Sequence, residues 1–230
     1  MAWSALKQLR LIRGAEKAAP PVEPVREELE TSVVDAADLI PQPEFQIIDV
    51  IDALPWHPER VWSNRQLSQI SEVLVHQAAM KNATAESVNK YHITPSEDKD
   101  GDGVIESWER NHLSDKGAPH IAYHFVIEED GTIKQTNKLT SVTWHAKGHN
   151  TKAIGILLAG YFNGVGHDDA GADPTDEQID SLFWLLDYLH LEFPNIKKTN
   201  FKGHCEIDPE NKAACPGYVA MSALEQWRTN

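Results

Sequence analysis

Residues 153–160 read AIGILLAG, a nearly continuous apolar run. A strand with one face in water alternates apolar and polar side chains, so an unbroken run of this length marks a strand covered on both faces, central in its sheet. A second run, Val73-Leu74-Val75, reads the same way and delivers His76 at its end, where the strand is expected to emerge at a sheet edge. Tyr123 to Ile127 and Thr132 to Gln135 flank Asp130-Gly131, the pattern of a hairpin with a tight turn. Further on, Thr175 and Gln178 form a capping-box pair, and Ile179, Leu182, Phe183, Leu186, Leu189 and Phe193 recur at helical spacing until Pro194 stops them. This stripe predicts the longest helix of the chain, packed on the sheet. Ile47, Ile48, Val50, Ile51 and Leu54 supply an opening strand or an arm lying on the domain, and LPWHPERVW follows as a loop in which His57 is a surface or packing residue. Thr84 to Tyr91 reads as a short helix ended before Pro95, and Val219 to Trp227 as a closing one. There are no internal repeats.

Two islands carry chemistry. In Gly203 to Gly217, GHCEIDPENKAACPG, a histidine and a cysteine stand a short loop apart. His204 and Cys215 are the borderline and soft donors that zinc prefers, and a third protein ligand would leave the fourth position free for water. His76 is the expected third ligand. Cys205 reads as a packed free thiol, since two cysteines make no disulfide framework. The second island, Asp98 to Glu109, is DKDGDGVIESWE, which fills the pattern of an EF-hand calcium loop. Asp98, Asp100, Asp102 and Glu109 would give carboxylate oxygens, Val104 its carbonyl and Glu106 a water-mediated contact. Calcium, a hard cation, wants oxygen, and Gly103 permits the sharp turn. Ser107 to Leu113 is expected to form the outgoing helix, while Pro95 prevents a long incoming one. The expectation is therefore an insert of one loop and one helix with a structural ion. A later acidic stretch, GVGHDDAGAD, lacks regular ligand spacing and reads as a solvated loop.

The chain has 230 residues, 41% hydrophobic and 24% charged, enough to bury a sizeable core as one catalytic domain with appendages. Its formal charge of −14 disfavours nucleic acid as a partner. No apolar run approaches the roughly 18 residues needed to span a bilayer. The opening MAWSALKQLRLIRG lacks an apolar core and a cleavage site, so no signal peptide is expected. Residues 1–14 carry Lys7, Arg10 and Arg13, with Trp3, Leu6, Leu9 and Ile12 near one helical face. They read as a short basic amphipathic helix, either a weak contact for a membrane or partner or a frayed, packed segment. Residues 15–45 form a linker rich in Pro, Ala and Glu, and residues 46–230 the catalytic domain with the insert at 98–109.

Taken together, VLVHQAA, AYHFVIEEDGTI, WHAKGHN, AIGILLAG, PTDEQ and GHCEIDPENKAACPG resemble the zinc N-acetylmuramoyl-L-alanine amidases of the type 2 family, which includes phage amidase lysozymes and peptidoglycan recognition proteins. The resemblance spans roughly residues 65–229, interrupted by the calcium-like insert. It implies an α/β fold, a central mixed β-sheet flanked by helices, with zinc bound by His76, His204 and Cys215. It also implies hydrolysis of the amide between N-acetylmuramic acid and L-alanine by a zinc-activated water. Tyr123 matches the family tyrosine that contacts the attacking water or the oxyanion. His145 matches a cleft histidine expected to hydrogen-bond substrate or transfer a proton. Many members carry a glutamate where this chain has Leu157, so catalysis is expected to fall to Tyr123 and zinc. The family lysine two residues before the cysteine is replaced by Ala213, and Lys212 reaches the oxyanion only through a one-residue bulge. His124 and His149 are expected to be structural or surface residues.

The expected function is that of a phage endolysin, monomeric and stabilised by calcium. It would be made in the host cytoplasm and act on the bacterial peptidoglycan after membrane permeabilisation. The alternatives are a non-catalytic peptidoglycan-binding module and a virion-associated wall hydrolase tethered by residues 1–45.

Overall fold

The computed structural model describes residues 45–230. The helix expected at 1–14 and the linker at 15–45 lie outside the described residues, apart from Phe45. Among the described residues eight strands and three α-helices are formed: β1 (Ile47–Asp49), β2 (Ser63–Asn64), β3 (Glu72–Gln77), α1 (Ala85–Ile93), β4 (Phe125–Ile127), β5 (Ile133–Gln135), β6 (Ser141–Val142), β7 (Ala153–Leu158), α2 (Asp176–Glu192), β8 (Phe201–Gly203) and α3 (Tyr218–Thr229).

Six strands make one mixed sheet in the order β1-β5-β4-β7-β3-β8, and β2 pairs with β6 apart from it. Only β4 and β5 run antiparallel within the sheet, as a hairpin whose turn passes through Gly131 at φ +82°. The other four pairings are parallel. AIGILLAG supplies β7, between β4 and β3 and fully buried along its length, as an unbroken apolar run demands. β3 is also interior, between β7 and β8, so the expectation that His76 emerges at a sheet edge is corrected. His76 is the penultimate residue of a strand buried throughout.

Alternation along the strands sorts the two faces. Val73, Val75, Ile154, Ile156 and Leu158 join Leu182, Leu186, Leu189 and Leu224 of α2 and α3 in the larger core. Val126 and Leu157 face the other way, into a cluster with Ala85 and Val88 of α1. His76, one residue from Val75, shares this second face, the side on which the functional residues gather. Capping explains where the helices start. Thr84 Oγ1 accepts the Ser87 N–H at 3.1 Å, and Thr175 Oγ1 accepts the Gln178 N–H at 3.1 Å. Gln178 Nε2 also donates to the carbonyls of Ile127 and Ala159, which fastens α2 to the ends of β4 and β7.

The helix expected over Ser107–Leu113 is not formed; Ser107–Glu109 is a turn and the chain then bends away. Asn111 is the cause. Its Oδ1 accepts the N–H groups of Leu113 (2.9 Å) and Ser114 (3.3 Å), which a helix would have turned to the carbonyls of Glu109 and Arg110.

Candidate functional site

β3, β8 and the loop before α3 bring together three side chains from distant parts of the chain. His76 Nδ1 lies 3.0 Å from His204 Nδ1 and 3.9 Å from Cys215 Sγ. His204 follows directly after β8, and β8 pairs with β3, so the two histidines meet through strand register. Cys215 is held from two sides. The Cys205 N–H donates to its carbonyl at 2.8 Å, and the Gln77 N–H points at its sulfur at 3.3 Å.

Gln77 is a functional residue that sequence reasoning missed. Its Nε2 donates to the Ala214 carbonyl at 2.6 Å, and its Oε1 accepts the Phe162 N–H at 2.6 Å, so it pins the cysteine loop to the strand that carries His76. In the sequence Gln77 only follows His76 at the end of the apolar run Val73-Leu74-Val75, which does not disclose this role.

Hydrogen bonding assigns the histidine tautomers. His145 Nε2 faces the Ala153 carbonyl at 3.4 Å, which can only accept, so Nε2 carries the proton and Nδ1 is bare. That bare Nδ1 lies 3.1 Å from His76 Nε2, which must therefore donate. His76 Nδ1 is left with a free lone pair aimed at His204 and Cys215, the usual arrangement of a metal-binding histidine oriented from behind. His145 lines the cavity at 6% exposure, and here both its nitrogens have protein partners. The ring fits there because residue 155 is glycine; a Cβ would stand 2.8 Å from His145 Cγ.

Behind His145 lies Arg65, a buried cation also absent from the sequence reading. It donates to the carbonyls of Leu139, Asn150 and Ala153, and its Nη2 lies 3.0 Å from His124 Nε2. Burial lowers its pKa to about 10, so it remains charged at neutral pH. His124 is structural, as expected: its Nδ1 accepts the Gly155 N–H at 3.0 Å. His149 is also structural, paired with Glu72 at 2.6 Å.

The site's electrostatics favour uncharged ligands. Burial, then His204 and His145, holds His76 well below its ordinary value. Burial and then Lys212 bring His204 down to about 4, and burial takes His145 to about 3. Neutral imidazoles are what metals bind. Burial likewise pushes the Cys215 thiol up to about 12, a shift that a cation at the sulfur would reverse. The donor set fits zinc. Tetrahedral Zn–N bonds of about 2.0–2.1 Å and a Zn–S bond of about 2.3 Å separate ligand atoms by roughly 3.3–3.6 Å, and the observed separations bracket that range.

These residues floor a cavity of about 970 Å³. Tyr123 lines it, with its ring centroid 5.1 Å from that of His76; burial, then Cys215, raises its pKa and keeps the phenol protonated. Lys212 is exposed and also lines the cavity, in the turn closed by the Cys215 N–H to its carbonyl. Leu157 is fully buried, and the lining contains no carboxylates except Asp208 and Glu210 on the outer loop.

In the insert, the carboxylates of Asp98, Asp100 and Glu109 come within 4.8 Å of one another, as do those of Asp100, Asp102 and Glu106. The loop's own amides bond to several of them, while Glu106 Oε2 is buried with no hydrogen-bond partner among the described residues. Asp98 accepts from Gly101 (2.6 Å) and Gly103 (2.8 Å), Asp102 from Val104 (2.8 Å), and Glu109 from Lys99 (2.6 Å) and Glu106 (3.0 Å).

Residues 66–218 match the family described as N-acetylmuramoyl-L-alanine amidase. The chain is 31% identical over 123 residues to the endolysin of Escherichia phage T7, covering 54% of this chain and 71% of that protein. It is 28% identical over 139 residues to the 1,6-anhydro-N-acetylmuramyl-L-alanine amidase AmpD of Haemophilus influenzae, covering 53% and 71% respectively. Among solved structures, the N-acetylmuramoyl-L-alanine amidase LysC from Clostridium intestinale shares the fold with a TM-score of 0.55 at 24% identity, covering 80% of this chain and 95% of that one. The Drosophila peptidoglycan recognition protein SD does so with a TM-score of 0.57 at 15% identity and the same coverages.

Proposed function

Because the chain belongs to the N-acetylmuramoyl-L-alanine amidase family, we propose that it hydrolyses the amide between N-acetylmuramic acid and L-alanine of peptidoglycan, as a phage endolysin. The observation that carries this reading is the convergence of His76 Nδ1, His204 Nδ1 and Cys215 Sγ at the floor of the cavity. These three would hold zinc, which when bound polarises the scissile carbonyl and brings the pKa of a coordinated water toward about 7.

The chain's own residues do the rest. Tyr123, held protonated by its surroundings, donates its O–H to the oxygen on which negative charge develops. Lys212 brings a more mobile positive charge to the same region from the cavity rim. His145 holds its proton at Nε2 and fixes His76, and so acts through the ligand rather than on the substrate. With Leu157 buried in β7, no aspartate or glutamate serves as general base on the floor.

The same reading gives the insert a calcium ion, bound by Asp98, Asp100, Asp102, the Val104 carbonyl, Glu106 and Glu109. It is supported by the completeness of the loop pattern and the proximity of its carboxylates. With the weak affinity of extracellular modules, about 10⁻⁴–10⁻³ M, the loop would fill only outside the cytoplasm.

No helix among the described residues is long and apolar enough to cross a membrane. Synthesis in the host cytoplasm and action on the wall after permeabilisation, a monomeric state, and a weak membrane or partner contact through residues 1–14 complete the proposal. Retention of Cys215 disfavours the non-catalytic binding module. Mass spectrometry of purified peptidoglycan digested with the native chain and with Cys215→Ser tests the whole reading. Stem peptides beginning with free L-alanine, from the native chain alone, are expected; glycan fragments or cross-bridge products would overturn it. For a virion-associated role, a chain lacking residues 1–45 would hydrolyse normally but fail to enter particles.

A further inference from the structure

The insert also builds a wall of the cavity. Asn111, 7% exposed, donates from Nδ2 to the carbonyls of Tyr91 (3.0 Å), His92 (2.8 Å) and Thr94 (2.8 Å), the last turn of α1. With its Oδ1 turning the chain at Leu113, this one side chain clamps the insert onto the helix end. The clamp sets His112 against Tyr91, with ring centroids 5.3 Å apart, planes at 15°, and Nδ1 3.2 Å from the tyrosine hydroxyl. Both side chains are exposed, and both line the cavity that holds His76, His204 and Cys215. Leu113 and Trp144 line it as well.

The chemistry of this wall differs from that of the other exposed lining. Elsewhere the lining carries the charged Lys147, Asp208, Glu210 and Lys212 among neutral residues such as Val165 and Asn211, whereas Tyr91, Leu113 and Trp144 on this wall are all neutral. Desolvation, then nearby Lys212, holds the His112 imidazole below its ordinary value, which favours its neutral form. A stem peptide bears carboxylates and needs cations. A pyranose ring is uncharged and presents a face of C–H groups, attracted by the negative face of an aromatic ring, inside a rim of hydroxyls that hydrogen-bond to polar ring edges.

We propose that the near-parallel Tyr91–His112 pair, held by Asn111 beside the metal-ligand cluster, is a saccharide subsite that seats a sugar ring of the glycan strand. The proposal rests on the amidase reading for the substrate's identity. Its test requires no turnover.

Peptide-free N-acetylglucosamine–N-acetylmuramic acid tetrasaccharide, which has no scissile amide, is titrated into the zinc-loaded full chain and followed by NMR and calorimetry. Binding is expected, with the tetrasaccharide perturbing the Tyr91 and His112 signals. Tyr91→Ala and His112→Ala should each weaken it about tenfold, roughly the worth of one aromatic contact. Tyr91→Trp should retain binding, which separates a lost platform from a misfolded helix end. A saccharide-free stem peptide should bind the native and alanine chains alike. The proposal is overturned if the tetrasaccharide does not bind, if the alanine variants bind it as tightly as the native chain, or if only the stem peptide is affected. Failure of the amidase reading would appear elsewhere, as absence of stem-peptide release by a chain that still binds the sugar.

Discussion

The histidine–cysteine cluster and the acidic loop both gather potential ligands, yet they are built in opposite ways. In the cluster, donors from residues 76, 204 and 215 are brought together by strand pairing, and two imidazole nitrogens face each other at 3.0 Å. In the loop, every carboxylate comes from one run of twelve residues, and local amides already satisfy Asp98, Asp102 and Glu109. The first arrangement is held rigid by the sheet and keeps a lone pair for an ion. The second keeps its shape by itself and gains less from one. Removing a ligand should therefore abolish function at the cluster and only soften the structure at the loop.

The sharpest way to break that contrast is to remove one donor from each region. Cys215→Ser or His76→Ala should lower stem-peptide release by about three orders of magnitude or more, since Lewis-acid stabilisation supplies several kcal/mol. Zinc bound per chain should fall in parallel. Glu109→Gln should leave both within a few-fold. Comparable losses of activity at the two regions would erase the distinction.

Next in size is Tyr123→Phe, which keeps the ring and removes only the donor. A drop of about 10²-fold in kcat is expected, with zinc content and KM nearly unchanged, as for the loss of one oxyanion donor. A fall in zinc content instead would move Tyr123 from chemistry to scaffolding.

The buried relay behind the cluster gives the third test. His145→Ala, and Gly155→Ala by crowding its ring, should weaken zinc binding about 10–100-fold in a competition titration. His145→Gln, whose Oε1 can accept from His76 Nε2–H, should restore part of it. Native zinc affinity in His145→Ala with activity lost would return His145 to the substrate.

How far each region was legible follows from the same contrast. The acidic loop was readable because its ligands are contiguous and each position has a local reason. Even there, Asn111 turned an expected helix into a bend through its Oδ1, and its Nδ2 contacts with Tyr91 and His92, some twenty residues back, are recorded by no local pattern. The sheet was readable where apolar runs were unbroken, as in β7, and where a capping box marked the start of α2. The cluster could not be assembled from periodicity. Its members lie 128 and 11 residues apart; donor chemistry and a strand end suggested the set, and resemblance to a family tied it together. The roles of Gln77 and Arg65 come from tertiary hydrogen bonds that leave no trace in spacing, and a cleft position for His145 does not reveal which way its ring nitrogens point.

Calcium gives the fourth test, in degrees rather than decades. For a Kd of about 10⁻⁴–10⁻³ M, 10 mM calcium stabilises the folded state by about 1.4–2.7 kcal/mol, a rise of roughly 3–10 °C in Tm for a domain of this size. The rise should vanish in Glu109→Gln, at fixed zinc. No shift with calcium would leave the loop as a self-bonded turn.

The smallest effect probes a local ion cluster on the cluster's own strand. Glu72, at the start of β3, pairs with His149 at 2.6 Å and Lys152 at 3.1 Å. Burial raises its pKa, but the hydrogen bonds from His149 and Lys152 outweigh that and leave it below 4.5. A carboxylate with a depressed folded-state pKa contributes stability that is full above its unfolded value and disappears as pH falls through the folded one. Glu72→Gln should therefore lower Tm by no more than about 2–4 °C at pH 7, the scale of a pair whose partners His149 and Lys152 remain partly exposed. The native and variant melting curves should converge as the pH is taken down through 4.5. Activity at pH 7 should stay near native, because strand register rather than this pair positions His76. If Glu72→Gln instead costs zinc affinity, the cluster depends on local ion pairs as well as on the sheet, and the two regions are less different than their geometry implies.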